Sequence, residues 1–123
     1  MGSIVAENRK SLMLFSGRGF PELADEIGAA LGVAPTPTDA YDFANGEIFV
    51  RYKESVRGSD AFVVQSIGQG VNKWVMETLI MVDALKRGSA KRITVVLPFY
   101  PYSRQDKKHR GGSRSRRGWW RIC

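Results

Sequence analysis

The sequence predicts an α/β fold with a mostly parallel sheet, helices on its faces and a β-hairpin, and three observations predict it. Short apolar runs of strand length, at 12–16, 61–65 and 92–97, are bounded by glycine and proline. Helical apolar spacing fills 21–31 and 72–87, so strands alternate with helices as parallel sheets require. Asn45-Gly46 lies between two segments of strand character, which signals a hairpin turn.

Leu12-Met13-Leu14-Phe15-Ser16 reads as a short buried strand ending in the turn Gly17-Arg18-Gly19. Pro21 suits the first turn of a helix, and Glu22, Asp25 and Glu26 favour its positive end. Leu23, Ile27, Ala30 and Leu31 form one apolar face, and Gly32 supplies the stop. Ser-Gly-Arg-Gly before a helix could cradle a phosphate, but its spacing matches neither glycine-rich fingerprint, so a plain strand-to-helix turn is the preferred reading.

Pro35-Thr36-Pro37 forces an extended segment, after which Thr38–Phe43 and Glu47–Tyr52 form the hairpin arms. Ile48, Val50 and Tyr52 alternate with Phe49 and Arg51, the period of a strand packed on one face. Ala61-Phe62-Val63-Val64-Gln65 is continuously apolar up to Gln65, as in a strand covered on both faces. Asn72 to Arg87 reads as a long helix, capped by Asn72, basic at Lys86 and Arg87, and ended by Gly88. Trp74, Val75, Met76, Leu79, Ile80, Met81, Val82 and Leu85 make it apolar on more than one face, so it should be largely buried. The strand Arg92–Leu97 completes a β-α-β unit.

That strand runs into Leu97–Arg110, LPFYPYSRQDKKHR. Pro98 and Pro101 stop the strand, because each lacks a backbone donor and restrains its predecessor. Arg104, Gln105, Asp106, Lys107, Lys108, His109 and Arg110 follow, a cluster dominated by phosphate-binding residue types. Open α/β sheets place ligands at strand carboxyl ends, which is where this cluster falls. His109 is the sole histidine and reads as a member of the basic loop.

Composition narrows the possible functions. The 123 residues, 43% of them hydrophobic, suit one domain. No apolar run is long enough to span a bilayer, and residues 1–11, expected to be a flexible N-terminus, lack a signal-peptide core. Ala6 breaks a myristoylation motif. The single cysteine, Cys123, excludes an internal disulfide, and a cytoplasmic location is expected. The net charge of +7 is local: residues 1–103 hold 11 basic and 11 acidic side chains, while residues 104–123 hold 8 basic ones and Asp106.

FYPYSRQDKKHRG resembles the signature loop of the ribose-phosphate diphosphokinases (phosphoribosyl-pyrophosphate synthetases), usually PYARQDKK. The likeness extends through Phe43-Ala44-Asn45-Gly46-Glu47, Glu54-Ser55-Val56-Arg57-Gly58 and Glu77–Leu85, and covers about Leu12 to Gly111 in register. The resemblance implies a partial phosphoribosyltransferase-type domain from which the hairpin projects. It implies that Phe43, Asn45 and Glu47 hold the adenine of ATP, with Arg104 and Gln105 also in the ATP site. Lys107 and Lys108 would add phosphate or regulatory contacts. An aromatic face can stack on the base while an amide and a carboxylate read its polar edge. The implied partners are ATP, ribose 5-phosphate and further copies of the chain in a homo-oligomer. Neither membrane nor nucleic acid is an expected partner. The implied cofactor is Mg²⁺. Its ligands, the catalytic loop and the ribose-phosphate loop lie downstream in the family, so no catalytic residue is expected here and the 123-residue chain should be inactive alone.

After Gly111 the resemblance stops, which divides the chain into 1–11, a truncated α/β domain at 12–111 and a basic tail at 112–123. Gly112–Cys123 can be encoded so that the frame one base earlier spells Arg-Glu-Pro-Ile-Ser-Ala-Arg-Leu-Val-Ala-Asp-Leu, the family continuation. Trp119-Trp120 has no codon freedom and forces a valine in that other frame. The tail is therefore read as out-of-frame translation. Two alternatives stay open: a non-catalytic regulatory or assembly member of the family, and a small RNA-binding protein using the tail's arginines and tryptophans.

Overall fold

A computed structural model describes residues 12–103. The order is β1 (Leu12–Ser16), α1 (Pro21–Leu31), β2 (Thr38–Asp42), β3 (Ile48–Tyr52), β4 (Asp60–Val64), α2 (Val71–Arg87) and β5 (Arg92–Val96). β1, β4 and β5 form a parallel three-stranded sheet with β4 in the middle, and β2–β3 is a separate antiparallel pair. The expected α/β class and mostly parallel sheet are what the chain adopts.

Register sets the two faces. Met13, Ala61 and Ile93 stand side by side, as do Phe15, Val63 and Val95. These rows face α2, packing with Val56, Met81 and Leu85. Leu14 and Val64 point the other way, onto Ala24, with Phe62, Leu23 and Ile27 around them. β4 is thus covered on both faces, as its continuous apolar run requires. Phe15, Met81 and Leu85 are buried to within 1%, and each such side chain contributes about 1.5–3 kcal/mol through loss of apolar surface from water.

The helix ends follow local chemistry with one correction. Pro21 opens α1, and Gly32 closes it at φ 72, its N–H donating to Gly28 O. Asn72 does not cap α2. Gly70 takes the N-cap position at φ 76, and no side chain caps it. Gly88 ends α2 as expected, its N–H donating to Ala84 O at 2.9 Å, but it sits at φ −76, and the left-handed residue is the next one, Ser89, at φ 65. Gly88 is required by contact instead, because a Cβ there would clash with Val56 Cγ2.

α2 is less uniformly buried than its sequence suggests. Val75, Met81, Val82 and Leu85 are buried, but Met76 is 51% exposed. Glu77, by contrast, is wholly buried. The hairpin arms are one residue shorter than expected at the turn, because 43–47 forms the loop. Phe43 N–H donates to Glu47 O at 2.7 Å and Gly46 N–H to Phe43 O at 2.9 Å, with Gly46 at φ 92. The hairpin projects only at its tip. Val50 and Tyr52 of β3 pack on the main core, and the Tyr52 hydroxyl donates to Met81 O at 2.8 Å. Residues 41–47 are exposed.

Candidate functional site

Parallel pairing brings the carboxyl ends of β1, β4 and β5 to one edge of the sheet. Three loops leave there, 17–20, 65–70 and 97–103, and backbone bonds stitch their starts together. Gly17 N–H donates to Val64 O at 2.9 Å, and Gln65 N–H to Val96 O at 3.1 Å. Between the second and third loops lies a cleft of about 580 Å³, walled by Ile67, Gly68, Gln69 and Val71 on one side and Phe99, Tyr102 and Ser103 on the other. Phe99 is 48% exposed, so an aromatic face is open to a ligand there. Tyr102 holds φ 61, a conformation that costs a non-glycine residue, and its hydroxyl donates to Asn72 Oδ1. Asn72, expected to cap α2, thus fastens the loop after β5.

The residues assigned to adenine gather at the hairpin tip. Asn45 Nδ2 donates to Glu47 Oε1 at 2.8 Å, and Asn45 Oδ1 accepts from Glu47 N–H at 3.0 Å. Tyr41 and Phe49 stack at 4.7 Å, and both meet the Phe43 ring near-perpendicularly, at 5.4 and 6.1 Å. The two rings brace Phe43 on edge, and it remains 45% exposed. None of the three tip residues lines the cleft. Arg104, Gln105, Lys107 and Lys108 lie outside the described residues, as do the tail at 112–123, the N-terminus at 1–11 and His109. Ser103, immediately before Arg104, is a cleft residue.

A buried polar network that sequence reasoning missed supports the site. Glu77 accepts from Arg18 N–H at 3.0 Å, Arg18 Nε at 2.5 Å and Gln65 Nε2 at 2.7 Å. Gln65 Oε1 in turn accepts from Gly19 N–H at 3.1 Å. The 17–19 turn is packed against this network: a Cβ on Gly17 would overlap the Gln65 amide, and one on Gly19 would overlap Ser66 O. That geometry fits the plain strand-to-helix turn. The available signal was a glutamate at i+3 and i−4 from the apolar Trp74 and Met81, on a face that should have been apolar throughout.

Arg18 Nη2 continues outward to Asp42 Oδ1 at 2.8 Å, and Lys73 Nζ meets Asp42 Oδ2 at 2.8 Å. Lys73, then Arg18, holds the Asp42 carboxyl below the ordinary aspartate value. Among the described residues no group of three or more His, Cys, Asp or Glu could hold a metal ion. No helix among them is long and apolar enough to cross a membrane.

Comparison with known proteins gives a consistent answer. Residues 12–116 match the family model described as the N-terminal domain of ribose phosphate pyrophosphokinase, into the stretch that the sequence marks as the tail. A ribose-phosphate pyrophosphokinase of Corynebacterium efficiens is 70% identical over 105 residues, 85% of this chain and 32% of that protein. One from Mycobacterium tuberculosis is 69% identical over the same shares of both chains. The chain therefore spans about a third of the length of such curated relatives. A crystal structure of phosphoribosylpyrophosphate synthetase from Mycobacterium smegmatis superposes with a TM-score of 0.79 at 68% identity, covering 84% of this chain and 35% of that one. A hypoxanthine-guanine phosphoribosyltransferase from L. donovani, 13% identical with a TM-score of 0.50, covers 70% of this chain and 51% of its own, and shares the fold alone.

Proposed function

The chain belongs to the ribose phosphate pyrophosphokinase family through its N-terminal domain, and from that premise we propose that it supplies the ATP side of a ribose-phosphate diphosphokinase. The observation that carries this reading is the hairpin tip, an exposed, braced Phe43 ring beside the linked amide and carboxylate of Asn45 and Glu47. Stacking on adenine needs an open aromatic face, and reading its edge needs a donor and an acceptor held at fixed spacing. Arg104 and Gln105, with Lys107 and Lys108, would engage the phosphates from the loop after β5.

In the whole protein the anomeric hydroxyl of ribose 5-phosphate attacks the β-phosphorus of ATP. The new O–P bond forms as the bond to the α-phosphate oxygen breaks, AMP leaves, and the hydroxyl proton passes to a base. Catalysis of this kind rests on positioning and on neutralising phosphate charge. Mg²⁺ belongs to this proposal as a companion of the nucleotide phosphates, but the described residues offer it no ligand set. We further propose a cytoplasmic homo-oligomer, in which each hairpin tip serves a neighbouring chain's site. The chain divides into an N-terminus at 1–11, the family domain at 12–111 and an out-of-frame tail at 112–123.

The test is to sequence the DNA around Arg110–Cys123, restore the frame, and measure AMP formation dependent on ribose 5-phosphate. The restored protein should form AMP and the 123-residue chain should not. Downstream DNA without an open frame encoding Arg-Glu-Pro-Ile-Ser would overturn the frame proposal, and AMP formation by the purified 123-residue chain would overturn its inactivity.

A further inference from the structure

The hairpin tip is braced within itself, by Tyr41 and Phe49 around Phe43 and by Asn45 with Glu47. Its placement against the rest of the domain must therefore come from its roots. β3 is rooted by Val50 and Tyr52 in the core, but among the described residues β2 pairs with β3 alone. Among the described residues, Asp42 is the side chain that ties the end of β2, next to Phe43, to the rest of the domain. Asp42 Oδ1 accepts from Arg18 Nη2 and its Oδ2 pairs with Lys73 Nζ, both at 2.8 Å.

Each cation is itself fixed. Arg18 is anchored by the buried Glu77, so little of its side-chain entropy remains to be lost when it meets Asp42. Lys73 lies 4.9 Å from the centre of the Trp74 ring, and Trp74 Nε1–H donates to Gln69 O in the cleft wall. One carboxylate thus joins the tip to the turn after β1 and to the first turn of α2.

We propose that Asp42 is a positioning residue that seats the Phe43 tip against the turn after β1 and the first turn of α2, and so sets how the tip is presented to a nucleotide base. The nucleotide part rests on the ATP reading above. The seating part rests on geometry alone. A neutral amide of the same shape cannot hold both cations, because it has one acceptor oxygen where Arg18 and Lys73 use two, presents a donor NH₂ to the other, and carries no charge to attract either.

The experiment uses the ¹⁵N-labelled 123-residue chain as wild type, Asp42→Asn, Asp42→Glu and Asp39→Asn. Asp39 pairs with Lys53 at 3.3 Å on the same hairpin, away from α2, and serves as the control. Amide exchange at Phe43 and Gly46, the Trp74 indole resonance, the urea midpoint and an ATP titration are recorded. Asp42→Asn should exchange about fivefold faster at the tip, shift the Trp74 resonance and bind ATP about fivefold more weakly, with the urea midpoint falling by no more than that fivefold weakening accounts for. Asp42→Glu should fall between, and Asp39→Asn should match wild type. The proposal is overturned if Asp42→Asn behaves as Asp39→Asn does. It is also overturned if the tip amides share the opening free energy of β4 in both wild type and Asp42→Asn, so that tip exchange reports global unfolding alone, the pattern of a merely structural role. A tip that loosens while wild type shows no ATP-dependent shifts at Phe43 would overturn the nucleotide reading and Asp42's role in it, leaving the seating itself established.

Discussion

Glu77 on α2 binds both the backbone N–H and the side-chain Nε of Arg18, a residue 59 positions earlier in the chain, at 3.0 and 2.5 Å. The glutamate is wholly buried, whereas the arginine side chain keeps 31% of its surface exposed. The pair ties the turn after β1 to the middle of α2. Removing the acceptor leaves the buried Gln65 amide and the Arg18 backbone N–H without their partner, whereas the Arg18 guanidinium keeps Asp42 and water. Glu77→Ala should destabilise the domain by about 2 kcal/mol, with Glu77→Gln costing less because an amide oxygen still accepts. Urea unfolding measures both. Equal stability of Glu77→Ala and wild type would show that the pair contributes nothing.

Tyr52 should confer alkaline sensitivity. Burial, and then the charge of Glu77, pushes its hydroxyl above the ordinary value of 10.0. A group whose folded pKa is raised contributes stability that is complete below the unfolded value. That stability is lost as pH climbs from about 10 towards the folded value. Tyr52→Phe should cost about 1 kcal/mol at pH 7 through the bond to Met81 O, and should flatten the decline above pH 10. Unfolding curves from pH 7 to 11 check the sign.

Asp42 should respond to acid in the opposite sense. Its folded pKa lies below 3.8, through Lys73 first and Arg18 second. Stabilisation by these pairs is present above the unfolded value and is lost as pH falls through the lower folded value. The facing groups are Arg18 and Lys73, with Glu77 behind Arg18. Tip amide exchange, corrected for its intrinsic pH dependence, should rise below about pH 4 in wild type and stay flat in Asp42→Asn.

In the frame-restored protein, Phe43→Ala should chiefly weaken ATP binding, because it removes the stacking face. Arg104→Ala should chiefly slow turnover by removing a charge-assisted phosphate contact. If the tip serves a neighbouring chain, each variant alone damages every site. Co-assembled in equal amounts, the two should regain about one intact site in four across a two-fold interface. Activity that stays at the average of the two variants, with subunit mixing verified, would place both residues in one chain's site.

Local chemistry makes much of the chain legible from its residues. Pro21 and Gly32 bracket α1, the apolar run at 61–65 marks a strand covered twice, and Asn45-Gly46 marks the hairpin turn. These features depend on backbone preference and on period, which are written within a few residues of one another. The helix α2 is legible in extent but not in environment. Asn72 looks like its cap because capping is a local rule, yet Gly70 opens the helix and Asn72 binds Tyr102, 30 residues away.

By itself the sequence determined the order and type of the elements, the family, and the residue types gathered at the hairpin tip and after β5. The tertiary structure alone decided which strand lies in the middle of the sheet and which polar groups meet. Glu77 reads in the sequence as an ordinary helix glutamate. Only folding brings Arg18 and Gln65 to it from two other segments, and Asp42 to Arg18 from a third, which makes the seat of the hairpin. The reason is that a buried charge is stable only when several partners converge on it in space, and no spacing along the chain encodes that convergence.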